Sequence, residues 1–98
     1  MALSSLDRYS EAEAIFRRAI AIAGGSADSD INDVGAAQRA AGMWNNLGVL
    51  LKKQGYKLGA REAFQKASDY QQRVCRLLPG HSNESAVLVQ IRANLTSL

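Results

Sequence analysis

The chain is poor in the residues that build most specialised sites. Among its 98 residues there is one cysteine, one histidine, one proline and one tryptophan. A lone cysteine, Cys75, excludes an internal disulfide. Arg73 and Arg76 beside it favour a thiolate, yet no histidine stands near it in sequence to act as base, and a small structural or surface cysteine is the simpler account. His81 stands in a Pro-Gly-His-Ser-Asn turn. It is near Ser82 and Ser85 but has no third group to orient it, so nucleophilic catalysis lacks its constellation. No apolar run approaches the roughly 20 residues that span a bilayer. The start, Met-Ala-Leu-Ser-Ser-Leu-Asp-Arg, has no basic segment leading into an apolar one, so a signal peptide is not expected and a cytoplasmic setting is. The net charge of +3 is a weak pull towards acidic partners. Asp28, Asp30 and Asp33 alternate polar oxygens without the glycine and terminal glutamate of a calcium loop, so helix capping accounts for them and no metal or cofactor is expected.

What is present is helix-forming. Apolar residues make up 47% and charged residues 21%, a composition suited to one folded domain over residues 1–98. Four helices are expected, at about 7–23, 31–54, 58–78 and 83–97. Tyr9, Ala12, Phe16, Ala19 and Ala23 step by three or four residues, which puts them on one inward face of the first helix. Gly24-Gly25 should end that helix and open a loop to Asp30, with Asp28, Ser29 or Asp30 capping the second. Val34, Ala37, Ala41, Trp44, Gly48 and Leu51 form the second stripe, widened by Ala40, Leu47 and Leu50. Gly35, Gly42 and Gly48 inside this helix each cost up to about 1 kcal/mol relative to alanine, which close approach of neighbouring helices is expected to offset. Gly55 breaks the chain before a third stripe of Ala60, Ala63, Phe64, Ala67, Tyr70, Val74, Leu77 and Leu78. Pro79-Gly80 ends it. Ser82 or Asn83 should cap the last helix, whose stripe is Leu88, Ile91, Leu95 and Leu98.

The chain also repeats itself. An offset of 48 residues superposes Ala12, Phe16 and Ala19 on Ala60, Phe64 and Ala67. The same offset carries Asn46, Leu47 and Leu50 onto Asn94, Leu95 and Leu98, and Leu3 onto Leu51. Trp44-Asn-Asn-Leu47-Gly48, followed by Leu51, Gly55, Ala60, Phe64 and Ala67, resembles the tetratricopeptide signature W-x-x-L-G…A-x-x-x-F-x-x-A. Arg8 to Ala19 resembles the second helix of another such unit. The Asn-Asn-Leu run and the long unit are similar to the kinesin-light-chain form of the repeat. The usual period is about 34 residues, so this unit is long, and the proline expected after its second helix is missing at Gly24 and Gln72. Arg92 and Thr96 stand where the earlier unit has Trp44 and Gly48, so the last unit is degraded or a cap.

The resemblance implies an all-α fold, antiparallel helical hairpins in a right-handed tetratricopeptide-like stack, and a protein or peptide partner in place of a catalysed reaction. Groove-lining positions carried over from the family are Asn45, Asn46, Val49, Lys52 and Lys53, with Gln90 and Asn94 on the last helix. Asparagine amides can pair with both peptide N–H and C=O, and lysines with carboxylates. Val49 stands where the carboxylate-clamp subclass has asparagine, which disfavours that subclass. Nucleic acid is disfavoured because the aromatics lie on apolar faces and Glu62 and Asp69 interrupt the basic residues Arg61, Lys66, Arg73 and Arg76. By the offset, Met1 to Leu6 corresponds to the last turn of a first-of-pair helix, and the order is second–first–second–first. Both end helices are then expected to expose apolar faces. The alternative function is therefore a structural unit that completes itself with a second copy, or a part of a longer array.

Overall fold

The computed structural model describes residues 5–98, with side-chain surroundings from residue 8 onward. Four helices and no strand occur among the described residues: α1 Ser5–Ser29, α2 Val34–Lys53, α3 Lys57–Leu77 and α4 Ser82–Thr96. Each packs chiefly on the next along the chain. Short connections force antiparallel neighbours, and the result is a stack of helical hairpins 48 × 28 × 21 Å in extent. Leu3 lies outside the described residues, as does most of the stretch read as the end of a preceding helix. Ser5 and Leu6 belong to the first turn of α1 itself.

The largest departure from the sequence reading is at Gly24-Gly25, which does not end α1. The helix continues to Ser29 because its last turns are held from α3. Ala23, Gly24 and Ala27 are buried. A Cβ at Gly24 would stand 3.4 Å from the Tyr70 hydroxyl. Tyr70 donates to Asp28 Oδ1 at 3.0 Å, and Arg73 Nη1 donates to the Ala27 carbonyl at 2.8 Å. These contacts outweigh the intrinsic helix penalty of two glycines, about 1 kcal/mol each. The loop from Gly24 thus shrinks to a turn at Ile31-Asn32, where Asp30 Oδ1 accepts from the Asn32 N–H. Capping moves with it: Asp33, not Asp28, Ser29 or Asp30, is the N-cap of α2, accepting from Ala36 N at 3.0 Å. The N-cap of α4 is His81, not Ser82 or Asn83, and its side chain makes no capping bond.

The α2–α3 turn follows its glycine. Gly55 has φ +83, with its N–H bonded to the Lys52 carbonyl and the Tyr56 N–H to that of Leu51. That is a Schellman closure, and it requires a left-handed residue after the C-cap.

The core gathers Ile20, Leu47, Leu50, Leu51, Ala60, Ala63 and Phe64. The Phe64 ring lies on the backbone of α2 at Gly48, where an added Cβ would stand 2.6 Å from the ring. Of the three glycines within α2, only this one meets the expectation of a close helix approach. Gly42 has open space beside it, and Gly35 faces only Asp33 and Arg39 of its own turn.

Two buried polar residues escaped the apolar pattern, Ser68 and Gln71. Gln71 donates to both the backbone carbonyl and the carboxylate of Glu84 at 2.9 Å, and Gln38 donates to the other oxygen of that carboxylate. Glu84 therefore joins α2, α3 and α4. Glu84→Ala removes one acceptor from a buried amide and is expected to cost about 1–3 kcal/mol. A urea titration should read this as a lower midpoint at unchanged slope.

Candidate functional site

The seven residues carried over from the family pattern divide between two faces. Successive helical residues turn by about 100°, so Asn45 and Asn46 meet different neighbours. Asn45, with Gln38 and Lys52 one heptad to either side, looks towards α4. Asn94 Nδ2 donates to Asn45 Oδ1 at 3.1 Å, and Gln90 Nε2 donates to Asn94 Oδ1 at 3.1 Å. Lys52 Nζ donates to Ser97 Oγ at 2.8 Å. The bonds from Asn94 to Asn45 and from Lys52 to Ser97 stitch the two like helices together across a seam whose sequence offsets, 45 to 49 residues, lie close to the internal repeat, while Gln90 braces Asn94 from its own helix.

The other three, Asn46, Val49 and Lys53, look towards α1. There they line an open depression with Leu50, and Tyr9, Ala12 and Phe16 form the opposite wall. A second depression continues along the same seam, between Ala19, Ile22 and Ala23 of α1 and Arg39 and Met43 of α2. The α1 numbers ascend while the α2 numbers descend, as antiparallel helices require. The two depressions follow one another along the α1/α2 groove, each mainly apolar, with Asn46 and Lys53 exposed beside the first and Arg39 beside the second.

The α1 stripe read as inward is accordingly the groove wall over most of its length. Tyr9, Ala12, Phe16 and Ala19 are half-buried, and full burial on α1 falls to Ile20, Ala23 and Ala27. Periodicity marks which residues share a face but does not say whether a neighbour covers it. The usable signal was the order second–first–second–first: among the described residues no first-of-pair helix precedes α1.

Elsewhere, Asp28, Lys66, Asp69, Tyr70, Arg73 and Arg76 surround a polar depression between α1 and α3. Arg73 stacks 5.2 Å above the Tyr70 ring and lies 3.7 Å from Asp28. Burial, then the bond to Asp28, raises the Tyr70 pKa above its ordinary 10.0. A raised acid favours folding while protonated, so this contribution is intact through neutral pH and fades only in alkali above about pH 10. The cluster clasps α1 to α3, and its carboxylates interrupt the basic residues of α3. Among the described residues no group of three or more His, Cys, Asp or Glu side chains gathers to hold a metal, and no helix is long and apolar enough to cross a membrane.

Two family models, both described as tetratricopeptide repeat, match the chain, one over residues 1–24 and the other over residues 41–73. The first spans the groove wall on α1, and the second runs from the middle of α2 to the Arg73 clasp. No curated protein and no solved structure matches.

Proposed function

The chain belongs to the tetratricopeptide repeat family, a non-catalytic fold whose repeats mediate protein–protein interaction, and from that premise we propose that it is an interaction module that holds a segment of a partner protein in the α1/α2 groove. The observation that carries this reading is the division of the polar residues. Asn45, Gln90, Asn94 and Lys52 spend hydrogen bonds on one another and on Ser97, whereas Asn46 and Lys53 flank an apolar base with their polar ends exposed. An apolar floor with a few polar groups at its edge suits a peptide or helix. Val49, Phe16 and Tyr9 supply burial, Asn46 a backbone or amide contact, and Lys53 attraction for a carboxylate.

The test compares two variants in capture of partners from the native host. Combined Asn46→Ala, Val49→Asp and Lys53→Glu is expected to lose the partner while keeping the helical circular dichroism signal. Combined Asn45→Ala and Gln90→Ala is expected to retain it. The reverse result would move the site to the α2/α4 face.

Self-assembly is the second reading. Val87 and Val89 of α4 are exposed, and a copy-to-copy contact there predicts a mass that grows with concentration in light scattering and falls on Val89→Asp.

A further inference from the structure

We propose that the turn between α2 and α3 is a docking tip for an anionic lipid surface, with Tyr56 and Leu58 entering the interface and Lys52, Lys53, Lys57 and Arg61 meeting the headgroups. The sequence concentrates charge there. From Val34 to Arg61 the chain has no acidic residue, and four of its 12 basic residues lie between Lys52 and Arg61. The remaining basic residues are outnumbered by the 9 acidic ones, so the net charge of +3 belongs wholly to this tip.

The turn sets these side chains outward. Gly55, in its left-handed conformation, closes α2, and the Tyr56 N–H bonds back to the Leu51 carbonyl at 2.9 Å, which pins the backbone. Tyr56 is the N-cap of α3, makes no capping bond with its side chain, and is 54% exposed. Leu58, in the first turn of α3, is 81% exposed, more than any other large apolar side chain among the described residues. The four cations lie within about one turn of the two helix ends, and Lys57 and Arg61, four residues apart, share a side of α3. Lys52 reaches only the Ser97 hydroxyl, which leaves its charge unneutralised. None of the four forms an ion pair among the described residues.

Neither the repeat nor the core asks for this chemistry. The offset of 48 carries Tyr56 and Leu58 onto Arg8 and Ser10, and the four cations onto Ser4, Ser5, Tyr9 and Glu13. The packing of α2 on α3 is made by Leu47, Leu51, Ala60 and Phe64. A nucleic acid would use the cations and one face of Tyr56, but its sugar–phosphate surface offers Leu58 no apolar medium. A bilayer interface uses all three features. Acidic headgroups draw the cations, a tyrosine settles at headgroup level, and a leucine is buried among the upper acyl carbons. Each basic residue near such a surface raises the partition about fivefold. Contact of this kind is made from one side and asks for no membrane-spanning helix.

The test is co-sedimentation of the full chain with vesicles of phosphatidylcholine alone and of phosphatidylcholine mixed with phosphatidylserine. Binding to the mixed vesicles, weakened by salt, is expected, with little binding to the neutral ones. Tyr56→Ser with Leu58→Ser keeps every charge and places a favoured N-cap residue on α3; it should lower binding about tenfold or more. Lys57→Glu with Arg61→Glu should abolish it. Arg17→Glu with Arg18→Glu, the same change of charge in the middle of α1, should lose far less. Circular dichroism and the denaturation midpoint of each variant report that its fold is intact. These variants leave Asn46, Val49 and Lys53 in place, so the groove reading is judged separately. The inference is overturned if the mixed vesicles bring down no protein, or if the serine pair binds as well as the parent chain. An equal loss in the Arg17 and Arg18 pair overturns it too, since net charge alone would then account for adhesion. A single-stranded oligonucleotide that competes the chain off the vesicles through the same residues would make the tip a nucleic-acid site instead.

Discussion

Phe64→Ala is expected to destabilise the chain by about 3–5 kcal/mol, whereas Phe16→Ala should cost only about 1 kcal/mol. The two phenylalanines hold the same place in the repeat, each four residues after one alanine and three before another. What separates them is cover. Phe64 is fully buried between α2 and its own helix, so truncation removes apolar surface and leaves a cavity under Gly48 that backbone cannot fill. Phe16 is half-buried on an open wall, so truncation there loses partial contact and leaves no enclosed void. Stability of a domain this size is on the order of 5–15 kcal/mol, so the first variant approaches unfolding and the second does not. Urea denaturation followed by the fluorescence of Trp44, the sole tryptophan, measures both. Equal losses would mean that α1 is covered as fully as α3.

The second large effect is a change of sign between two glycines six residues apart on α2. Gly48→Ala should cost about 2–3 kcal/mol, because the new methyl enters the space of the Phe64 ring and forces α2 and α3 apart. Gly42→Ala should instead stabilise by up to about 1 kcal/mol, since alanine is the better helix former and nothing stands within 4 Å of the added carbon. Chemical denaturation of both variants, read with the same slope, decides the matter. A neutral Gly48→Ala would show that the ring does not rest on that backbone.

Much of the fold was legible because its cause is local. Three-and-four spacing of apolar residues, a glycine at a left-handed turn and a single proline just after α3 are enough to count the helices and to identify Gly48, Phe64 and Ala60 as contact positions. One misread helix end and one distinction that sequence does not display share a cause. Gly24-Gly25 has the local character of a helix end, but Tyr70 and Arg73, more than forty residues away, carry α1 through it. Asn45 and Asn46 are chemically identical neighbours, and only the arrangement of α1 and α4 on either side of α2 makes one a structural stitch and the other an exposed rim group. Glu84 could be read as a favourable charge at a helix start. That Gln38 and Gln71 both converge on it depends on three helices meeting.

The order of residues alone determined the helical class, the internal period of 48 and the kinship of residues 12–19 with residues 60–67, because backbone preference and periodicity act within a few turns of chain. Which of those related surfaces is covered was decided only when the helices packed. Burial is a property of pairs of elements, and one stripe becomes core where α2 lies across it and a groove where no helix does.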